Sequence, residues 1–333
     1  MSESAHLKFD ALNGALKAAG EETRLRILVL LAEAELTVSD LTQILRQSQP
    51  RISRHLKLLG EAGLVERFRE GAWAFFRLAE GSGSAEFARQ LIARLDPRDS
   101  MIARDRDRLS AVRTARAAAA QDYFRAHAAQ WDRIRKLHVT DEAVESAIRD
   151  ALAERPFRSL LDLGTGTGRI LEMFGPDLER GLGIDLSLDM LLLARARIER
   201  AGLRHCSVRQ GDIYDLAVPG GSFDVVVIHQ VLHFLDDGAR AIREAARVLS
   251  PGGRLLVVDF APHDLEFLRE EHAHRRLGFS AEAVTQWMSA AGLDLAMHRS
   301  LSPEPGSDGK VAVSLWLARD PRRRIANDAR EVA

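Results

Sequence analysis

A turn rich in glycine is the most specific chemical feature of the sequence. It follows the acid Asp162 and consists of Gly164, Thr165, Gly166, Thr167 and Gly168. Glycines between a strand and a helix let the backbone approach a ligand and expose N–H groups at the helix N-terminus, where a carboxylate or phosphate is stabilised. The turn alone is a weak signal, because tight turns and helix caps also use glycine.

Two further elements at the ends of later strands strengthen this interpretation. Asp185 lies 21 residues after Gly164, where an acid can accept hydrogen bonds from both hydroxyls of a ribose. Gly211, Asp212 and Ile213 follow the third strand and can hold an adenine through the carboxylate and an apolar contact. Three such elements at consecutive strand ends predict a site for an adenosyl ligand. Dinucleotide enzymes share the first two elements, so a Rossmann oxidoreductase stays an alternative.

Alternating strands and helices would place these residues at one edge of a sheet. From about residue 158, short apolar runs predict strands at 159–163, 181–185, 207–210, 223–229, 254–260 and 311–318. Strands that alternate with helices are typical of a mostly parallel sheet covered on both faces. Ligands bind beyond the carboxyl ends of such strands, at the switch point of the strand order. The sequence therefore predicts an α/β, Rossmann-like domain.

The DLGTGTG turn and the segments GIDLSLDML and PGGRLLVVDF resemble the class I methyltransferases. This resemblance covers residues 158–260 well, and it implies S-adenosylmethionine or S-adenosylhomocysteine as the ligand. It assigns the amino-acid portion of that ligand to Asp162 and the glycine turn, and the base to Asp212 and Ile213. Further contacts to the ligand are expected from Asp185, Leu186, Ser187, Met190, Gly211, His229 and Gln230, the last two lying between cofactor and acceptor.

The N-terminal part of the chain carries the pattern of a winged helix-turn-helix. Apolar residues at helical spacing predict two helices over 9–34, with a break at Gly20. A third helix is expected over 37–45 with Ser39 as its N-cap, and Pro50 lies in the first turn of a fourth. Two short strands then form a β-hairpin. These elements predict an α+β domain.

The fourth helix is the predicted DNA-recognition helix. The segment 38–78 resembles the ArsR-type winged helix, with SQPRISRHLKLL as the recognition helix. Basic residues outnumber acidic ones seven to three over 46–77, although the formal charge of the whole chain is -1. We expect three leucines of this helix to pack in the core of the domain: Leu56, Leu58 and Leu59. Expected to contact a double-stranded DNA operator are Ser48, Gln49, Arg51, Ser53, Arg54, His55, Lys57, Arg67 and Arg69.

Cysteine usage excludes one class of effector. Metal-sensing relatives of the ArsR type carry a pair of cysteines in the helix before the turn, whereas this chain has Thr37-Val38-Ser39-Asp40 there. Cys206 is the one cysteine of the sequence, so one chain forms no thiolate cluster for a soft metal. Arsenite methylation, which would need several cysteines, is excluded on the same ground. We predict no metal site.

Composition indicates a soluble globular protein. Of its 333 residues 46% are hydrophobic and 29% charged, and no apolar run is long enough to span a membrane. The start MSESAHLKFD has neither the basic nor the apolar region of a secretion signal, so we expect a cytoplasmic location. The predicted segments are the winged helix over 1–84, a solvated helical linker or dimerisation segment over 85–145, the methyltransferase-like domain over 146–320 and a tail over 321–333.

The chain as a whole resembles the ArsR–methyltransferase fusion regulators, of which the SahR type responds to S-adenosylhomocysteine. This resemblance implies a homodimeric repressor that binds S-adenosylhomocysteine or S-adenosylmethionine as effector and controls methionine-cycle genes. The alternative is an active methyltransferase for a small molecule, with the winged helix as an accessory domain. His229, His233 and His263 lie near the predicted pocket, but the sequence shows no acceptor motif, so no catalytic residue is assigned.

Overall fold

The chain divides into two compact units, Met1–Ala119 and Ala120–Ala333. The computed structural model describes residues 7–70, 72–79, 82–127, 141–302 and 311–322. The first unit is α+β and the second is α/β with one large sheet. The two-domain fold class predicted from the sequence is therefore confirmed.

The first unit is a winged helix-turn-helix. Its elements are α1 (Phe9–Ala19), α2 (Glu22–Glu33), β1 (Leu36–Thr37), α3 (Val38–Leu45), α4 (Gln49–Glu61), β2 (Val65–Glu70), β3 (Trp73–Leu78), α5 (Gly83–Ile92) and α6 (Ser100–His127), which ends in the second unit. Strand β3 pairs antiparallel with both β1 and β2. The predicted helices and hairpin are present, and β1 is a two-residue strand that the sequence did not indicate.

The predicted N-cap of α3 is wrong by two residues. The side chain of Thr37 accepts a hydrogen bond from the backbone N–H of Asp40, and the carboxylate of Asp40 accepts one from the N–H of Thr37. This reciprocal capping box satisfies two N–H groups that the first turn would otherwise leave without partners. Ser39, the predicted cap, is inside the helix.

One predicted core residue of α4 is exposed. The buried stripe of this helix consists of Ile52, Leu56 and Leu59, whereas Leu58 is 38% exposed. Leu58 comes two positions after Leu56, which on an α-helix turns its side chain away from that stripe.

The helices after the hairpin pack on the first unit instead of forming a solvated linker. Ala88 of α5 and Leu109 and Val112 of α6 belong to the hydrophobic core of the winged helix. Asp105 is 3% exposed and accepts two hydrogen bonds from the guanidinium of Arg26, at 2.7 and 2.8 Å. The alternating charges of this segment therefore include ion pairs inside the unit. The segment boundaries stay a prediction.

The second unit alternates strands and helices. Its elements are α7 (Asp141–Ala153), β4 (Ser159–Leu163), α8 (Arg169–Phe174), β5 (Arg180–Asp185), α9 (Leu188–Arg200), β6 (Cys206–Gln210), β7 (Phe223–His229), α10 (Gly238–Val248), β8 (Leu249–Phe260), α11 (Phe267–His272), α12 (Ala281–Ala290), β9 (Asp294–Leu301) and β10 (Val313–Arg319). A short 3₁₀ helix, Leu232–Phe234, follows β7. All six predicted strands are present, and β9 is an additional one.

One seven-stranded sheet lies at the centre of this unit, in the order β6-β5-β4-β7-β8-β10-β9. Neighbours from β6 to β8 pair in parallel, and β10 is antiparallel to both of its neighbours. The strand order reverses between β4 and β7. That reversal is the switch point at which a ligand is expected.

Side chains of the central strands alternate between two hydrophobic cores. Along β4, Leu160 belongs to one core cluster and Leu161 and Leu163 to the other, because successive side chains of a strand point to opposite faces. The strand ends are thereby held rigidly between two packed layers. Within the described ranges, no helix is both long and apolar enough to cross a bilayer.

Candidate functional site

The glycine turn joins β4 to α8 at the switch point. It donates two backbone N–H groups to the carbonyl oxygen of Ile184, at 2.8 and 3.0 Å. Gly164, Gly166 and Gly168 have φ angles of 72°, 51° and 81°, a conformation that strains any residue with a Cβ. A Cβ on Gly164 would also overlap the side chain of Val231. Glycine is therefore required here by backbone conformation and by packing.

Asp162 and the threonines of the turn face the protein. Asp162 is 1% exposed, and its carboxylate accepts a hydrogen bond from the hydroxyl of Thr165 at 2.6 Å. The hydroxyl of Thr167 accepts a hydrogen bond from Arg197 at 3.1 Å. These contacts, together with the N–H groups that the turn donates to Ile184 and Asp185, fix the shape of the turn.

Asp185 ties the end of β5 to the glycine turn. Its carboxylate accepts hydrogen bonds from the N–H of Gly166 at 2.8 Å and from the N–H of Ser187 at 2.9 Å. Burial raises the pKa of Asp185, and the two N–H groups oppose that effect in part. The acid predicted to bind the ribose thus lies directly against the turn predicted to bind the amino-acid portion.

The start of α9 lies beside this acid. Ser187 is the N-cap of α9 and accepts a hydrogen bond from the N–H of Met190 at 3.3 Å. Met190 is 2% exposed, whereas Leu186 is 38% exposed. Of these two predicted apolar contacts, Leu186 is the one that presents its surface to solvent.

The end of β6 completes the set of three strand ends. The N–H of Gly211 donates to the backbone oxygen of Asp185 at 3.0 Å. The carboxylate of Asp212 accepts from the N–H of Tyr214 at 2.9 Å, and Ile213 is 6% exposed within a core cluster. Hydrogen bonds to Asp185 therefore connect the glycine turn with the turn at Gly211.

His229 and Gln230 lie on the other side of the switch point. His229 is the last residue of β7, and Gln230 adopts a left-handed conformation with a φ of 54°. The N–H of Gln230 donates to the oxygen of Val258 on β8 at 2.7 Å. The chain turns here so that Val231 packs on Gly164. Both predicted residues therefore lie next to the glycine turn.

Helix α4, the predicted recognition helix, exposes a polar and basic surface together with strand β2. Ser48 is the N-cap of α4. Exposed among the predicted DNA contacts are Ser48, Gln49, Arg51, Ser53, Arg54, Lys57, Arg67 and Arg69. Lys57 has an ion-pair partner in Glu61 at 3.8 Å, and both side chains are well exposed, so this pair adds little to stability. The surface matches what a DNA backbone requires of a protein.

His55 is the exception among the predicted DNA contacts. Its side chain is 12% exposed, and its Nδ1 lies 3.5 Å from a carboxylate oxygen of Glu21, the N-cap of α2. Burial lowers the pKa of His55, and the carboxylate of Glu21 opposes that effect. The side chain of His55 lies at the border of the buried stripe of α4, where it packs against the N-terminal end of α2. His55 is therefore only partly exposed, and its assignment as a DNA contact stays a prediction.

Both units match family models. Residues 21–67 match the model described as bacterial regulatory protein, arsR family, and residues 161–257 match the model described as methyltransferase domain. The chain fuses an ArsR-type helix-turn-helix domain to a class I methyltransferase domain. The matched ranges contain the helix-turn-helix of the first unit and the strands from β4 into β8 of the second.

Curated relatives match one domain at a time. The arsenical resistance operon repressor of Escherichia coli is 52% identical over 64 residues, which is 19% of this chain and 55% of the repressor. The uncharacterized methyltransferase YcgJ of Bacillus subtilis is 34% identical over 106 residues, which is 32% of this chain and 42% of YcgJ. The chain thus spans only about half the length of these curated relatives.

A solved structure resembles the methyltransferase domain in fold. A chain from a complex that contains the Haloferax volcanii Trm112 methyltransferase activator has a TM-score of 0.51 and is 24% identical. The match covers 61% of this chain and 98% of that one. At this level of identity the likeness concerns the fold alone.

Sequence reasoning missed one buried acid of the methyltransferase domain. Asp259, near the end of β8, is 0% exposed and accepts a hydrogen bond from Nδ1 of His233 at 2.7 Å. The signal was present, because an acid inside the apolar run VVDF is costly to bury without a partner. Its partner comes from a different strand end, which no local pattern indicates.

Proposed function

We propose that the protein is a DNA-binding repressor whose affinity for a double-stranded operator depends on an adenosyl ligand. The ligand is S-adenosylhomocysteine or S-adenosylmethionine, bound by the methyltransferase domain. The proposed targets are genes of the methionine cycle, in which both nucleosides are metabolites. The observation that carries the proposal is the connection of three strand ends through Asp185 in a chain that also exposes a basic recognition helix.

The donors and acceptors at the switch point fit an adenosyl ligand. The N–H groups of Gly164, Thr165, Gly166 and Gly168 already donate within the protein, so the turn would serve a ligand through the close backbone approach that its glycines allow. Asp185 would accept from the two ribose hydroxyls, and Asp212 would accept from the adenine amino group. Leu186 supplies an exposed apolar surface beside them. The same residues would hold either nucleoside.

The proposed regulation is thermodynamic linkage. An effector changes operator affinity only if it binds the DNA-competent and DNA-incompetent conformations unequally. A coupling free energy of about 1 to 3 kcal/mol changes operator affinity by about 5- to 150-fold. The recognition surface itself then needs no contact with the ligand.

Calorimetry followed by an operator shift assay tests this function. The full chain is titrated with S-adenosylhomocysteine, S-adenosylmethionine and NAD⁺, and a DNA duplex selected from a random library serves as operator. We expect saturable binding of at least one adenosyl ligand, no binding of NAD⁺, and an operator affinity that changes on saturation. Binding of NAD⁺ alone would favour the oxidoreductase alternative and refute the proposal.

An active small-molecule methyltransferase is the second candidate function. It is favoured by the buried pair of His233 and Asp259, because a histidine oriented by a carboxylate is an arrangement used for general-base catalysis. Incubation with labelled S-adenosylmethionine and cell extract separates the two. Stoichiometric binding without labelled product supports the repressor alone, whereas multiple turnovers onto a small molecule make the protein an enzyme.

We also propose that the repressor acts as a homodimer through α1. Phe9, Leu12 and Leu16 follow helical spacing and are 81%, 36% and 50% exposed. A contiguous apolar stripe of this kind is typical of a protein–protein interface. A second copy of the chain would bury it.

Leu16→Glu is expected to convert a dimer into a monomer, because the new carboxylate would lose its hydration at the interface. Sedimentation velocity of the full chain measures the change. Lys17→Glu, at an exposed position beside the stripe, is the control and should leave the dimer intact. If the parent protein sediments as a monomer at micromolar concentration, the proposed dimer is wrong.

Arsenite and cadmium are expected to leave operator binding unchanged. The one cysteine of the sequence, Cys206, lies in the methyltransferase domain, where it is buried, and burial raises the pKa of its thiol. The ArsR-type domain therefore has no thiolate for a soft metal. Operator shift assays with either reagent measure the effect, with S-adenosylhomocysteine as the comparison. Release of DNA at micromolar arsenite would show that another set of ligands senses metal.

A further inference from the structure

Aromatic rings and histidines gather at the carboxyl ends of β7 and β8. His233 lies in the short 3₁₀ helix after β7, and its ring centroid is 4.0 Å from that of Phe234 and 4.8 Å from that of Phe260. His274 is 4.2 Å from His233 by the same measure and is stacked on Phe260 at 5.6 Å. We call these residues, together with Asp259 and His263, the ring cluster.

The ring cluster adjoins the proposed adenosyl site. Strand β7 is the neighbour of β4, whose end carries the glycine turn. Val231 packs on Gly164, and His233 comes two residues later in the chain. The short segment from Val231 to His233 therefore connects the glycine turn with the ring cluster.

His233 and Asp259 form a buried pair within this cluster. They are 2% and 0% exposed, and Nδ1 of His233 lies 2.7 Å from Oδ1 of Asp259. The same Oδ1 accepts a hydrogen bond from the N–H of Phe260 at 2.8 Å. One oxygen of this carboxylate therefore has two donors.

The other oxygen of the Asp259 carboxylate receives no hydrogen bond from the described residues. Oδ2 of Asp259 is buried and has no hydrogen-bond partner in the described part of the chain. A buried carboxylate oxygen without a donor is unfavourable, because it has lost its hydration without replacement. Buried polar atoms are nearly always satisfied by protein, water or ligand. Among the described residues, no atom donates a hydrogen bond to this Oδ2.

His263 lacks a hydrogen-bond acceptor among the described residues. Its Nδ1 accepts a hydrogen bond from the N–H of Leu265 at 3.2 Å, so the neutral ring carries its hydrogen on Nε2. Nε2 is buried and has no acceptor among the described residues. Burial, with His233 as the next contribution, lowers the pKa of His263 to about 4, so the ring is neutral at pH 7.

The two atoms require partners of opposite kinds, and a hydroxyl group combines a donor with an acceptor. Oδ2 of Asp259 needs a donor and Nε2–H of His263 needs an acceptor, and one hydroxyl supplies both. An ammonium group would leave Nε2–H without an acceptor, and a carboxylate would leave Oδ2 without a donor. The surrounding rings of Phe234, Phe260 and His274 favour a flat aromatic body on the compound that carries the hydroxyl.

We propose that the ring cluster is a second ligand site, which binds a hydroxylated aromatic compound beside the adenosyl ligand. The hydroxyl donates to Oδ2 of Asp259 and accepts from Nε2–H of His263. His233 holds the carboxylate in place through Oδ1. This inference goes beyond the proposed repressor function, because neither operator binding nor adenosyl binding requires a second ligand.

Phenol, catechol and 2-naphthol are the probes that test the site. The full chain, saturated with S-adenosylhomocysteine and without DNA, is titrated with each probe and followed by saturation-transfer difference NMR. Anisole, which has the ring of phenol but no hydroxyl hydrogen, is the matched ligand control. We expect saturable binding of at least one hydroxylated probe and at least tenfold weaker binding of anisole.

Two variants test whether the hydroxyl of the probe binds to Asp259 and His263. Asp259→Asn replaces the carboxylate at nearly equal volume, and His263→Phe keeps a ring but removes the N–H. Each should weaken the best probe at least tenfold while the affinity for S-adenosylhomocysteine stays unchanged, which shows that the domain is folded. His298→Phe, an exposed histidine of β9, is the control and should change neither affinity.

Three results would overturn the second site. They are absence of saturable binding by all three hydroxylated probes, equal binding of phenol and anisole, and probe affinity that neither Asp259→Asn nor His263→Phe changes. In the first case a buried water satisfies the two atoms. Because no DNA is present, these outcomes leave the repressor proposal untouched. Loss of S-adenosylhomocysteine binding by the parent protein would instead refute the proposed function.

Discussion

Asp185→Asn is expected to weaken the binding of S-adenosylhomocysteine by about 100-fold or more. The variant replaces a charged acceptor of two ribose hydroxyls by a neutral amide. Hydrogen bonds to a charged group contribute about 1.5–3 kcal/mol each, and 1.4 kcal/mol corresponds to a factor of ten in affinity. Asparagine keeps one oxygen, which can still accept from the N–H of Gly166 or Ser187. Calorimetric titration of both proteins measures the difference.

The pH dependence of the parent protein provides a second readout. Burial raises the pKa of Asp185, and the ribose contacts require the ionised form. Affinity for S-adenosylhomocysteine should therefore fall as the pH drops through this raised pKa, above the ordinary range of an aspartate near 3.9. Asp185→Asn should show no such fall. Asp177→Asn, an exposed acid ahead of β5, is the matched control. An unchanged dissociation constant in Asp185→Asn would mean that the carboxylate only caps the strand end.

Arg51→Ala and Arg54→Ala are each expected to weaken operator binding by about 5- to 150-fold. Both side chains are exposed on recognition helix α4, and a lost base-edge contact costs about 1–3 kcal/mol. If the contact is to a phosphate instead, the slope of log affinity against log salt should become shallower by about one. Fluorescence anisotropy with the selected operator at several salt concentrations distinguishes the two cases.

The controls for these variants separate DNA contact from folding and from charge. Arg98→Ala removes an exposed arginine outside the helix-turn-helix and should leave operator affinity unchanged. Affinity for S-adenosylhomocysteine should be unchanged in all three variants, since the ligand site lies in the other domain. Operator affinity equal to that of the parent in both Arg51→Ala and Arg54→Ala would refute α4 as the recognition helix.

Local patterns in the sequence were sufficient for the fold class and for placing the proposed site residues at the strand ends. The glycines of the turn need positive φ angles and close packing on Val231, which glycine alone tolerates. The apolar runs that predicted β4 and β7 are buried on both faces of the sheet, as parallel strands must be. Asp185 is the last residue of its strand, so its position at the carboxyl end of the sheet was also predictable.

Features that depend on tertiary contacts were not predictable in this way. The charges of α6 look like those of a solvated helix, yet Asp105 is buried in an ion pair with Arg26, which is far away in the sequence. His55 lies within a polar segment but packs on α2. The pairing of His233 with Asp259 joins two strand ends. Each partner comes from another element, so the residue's own neighbours in sequence carry no signal for it.

In the proposed repressor, adenosyl binding and operator binding are linked. Linkage is reciprocal, so saturating S-adenosylhomocysteine should change operator affinity by the same factor by which saturating operator changes the affinity for S-adenosylhomocysteine. We expect that factor, in either direction, to be about 5 or more. Asp185→Asn should bind operator like the parent but lose the response to ligand.

The most direct measurement is the operator dissociation constant of the full chain without ligand and with saturating S-adenosylhomocysteine, repeated with S-adenosylmethionine. We expect at least one of the two ligands to change this constant at least fivefold in the parent and to leave it unchanged in Asp185→Asn. The same constant in all three conditions, with ligand binding confirmed by calorimetry on the same sample, would show that the two sites are not linked.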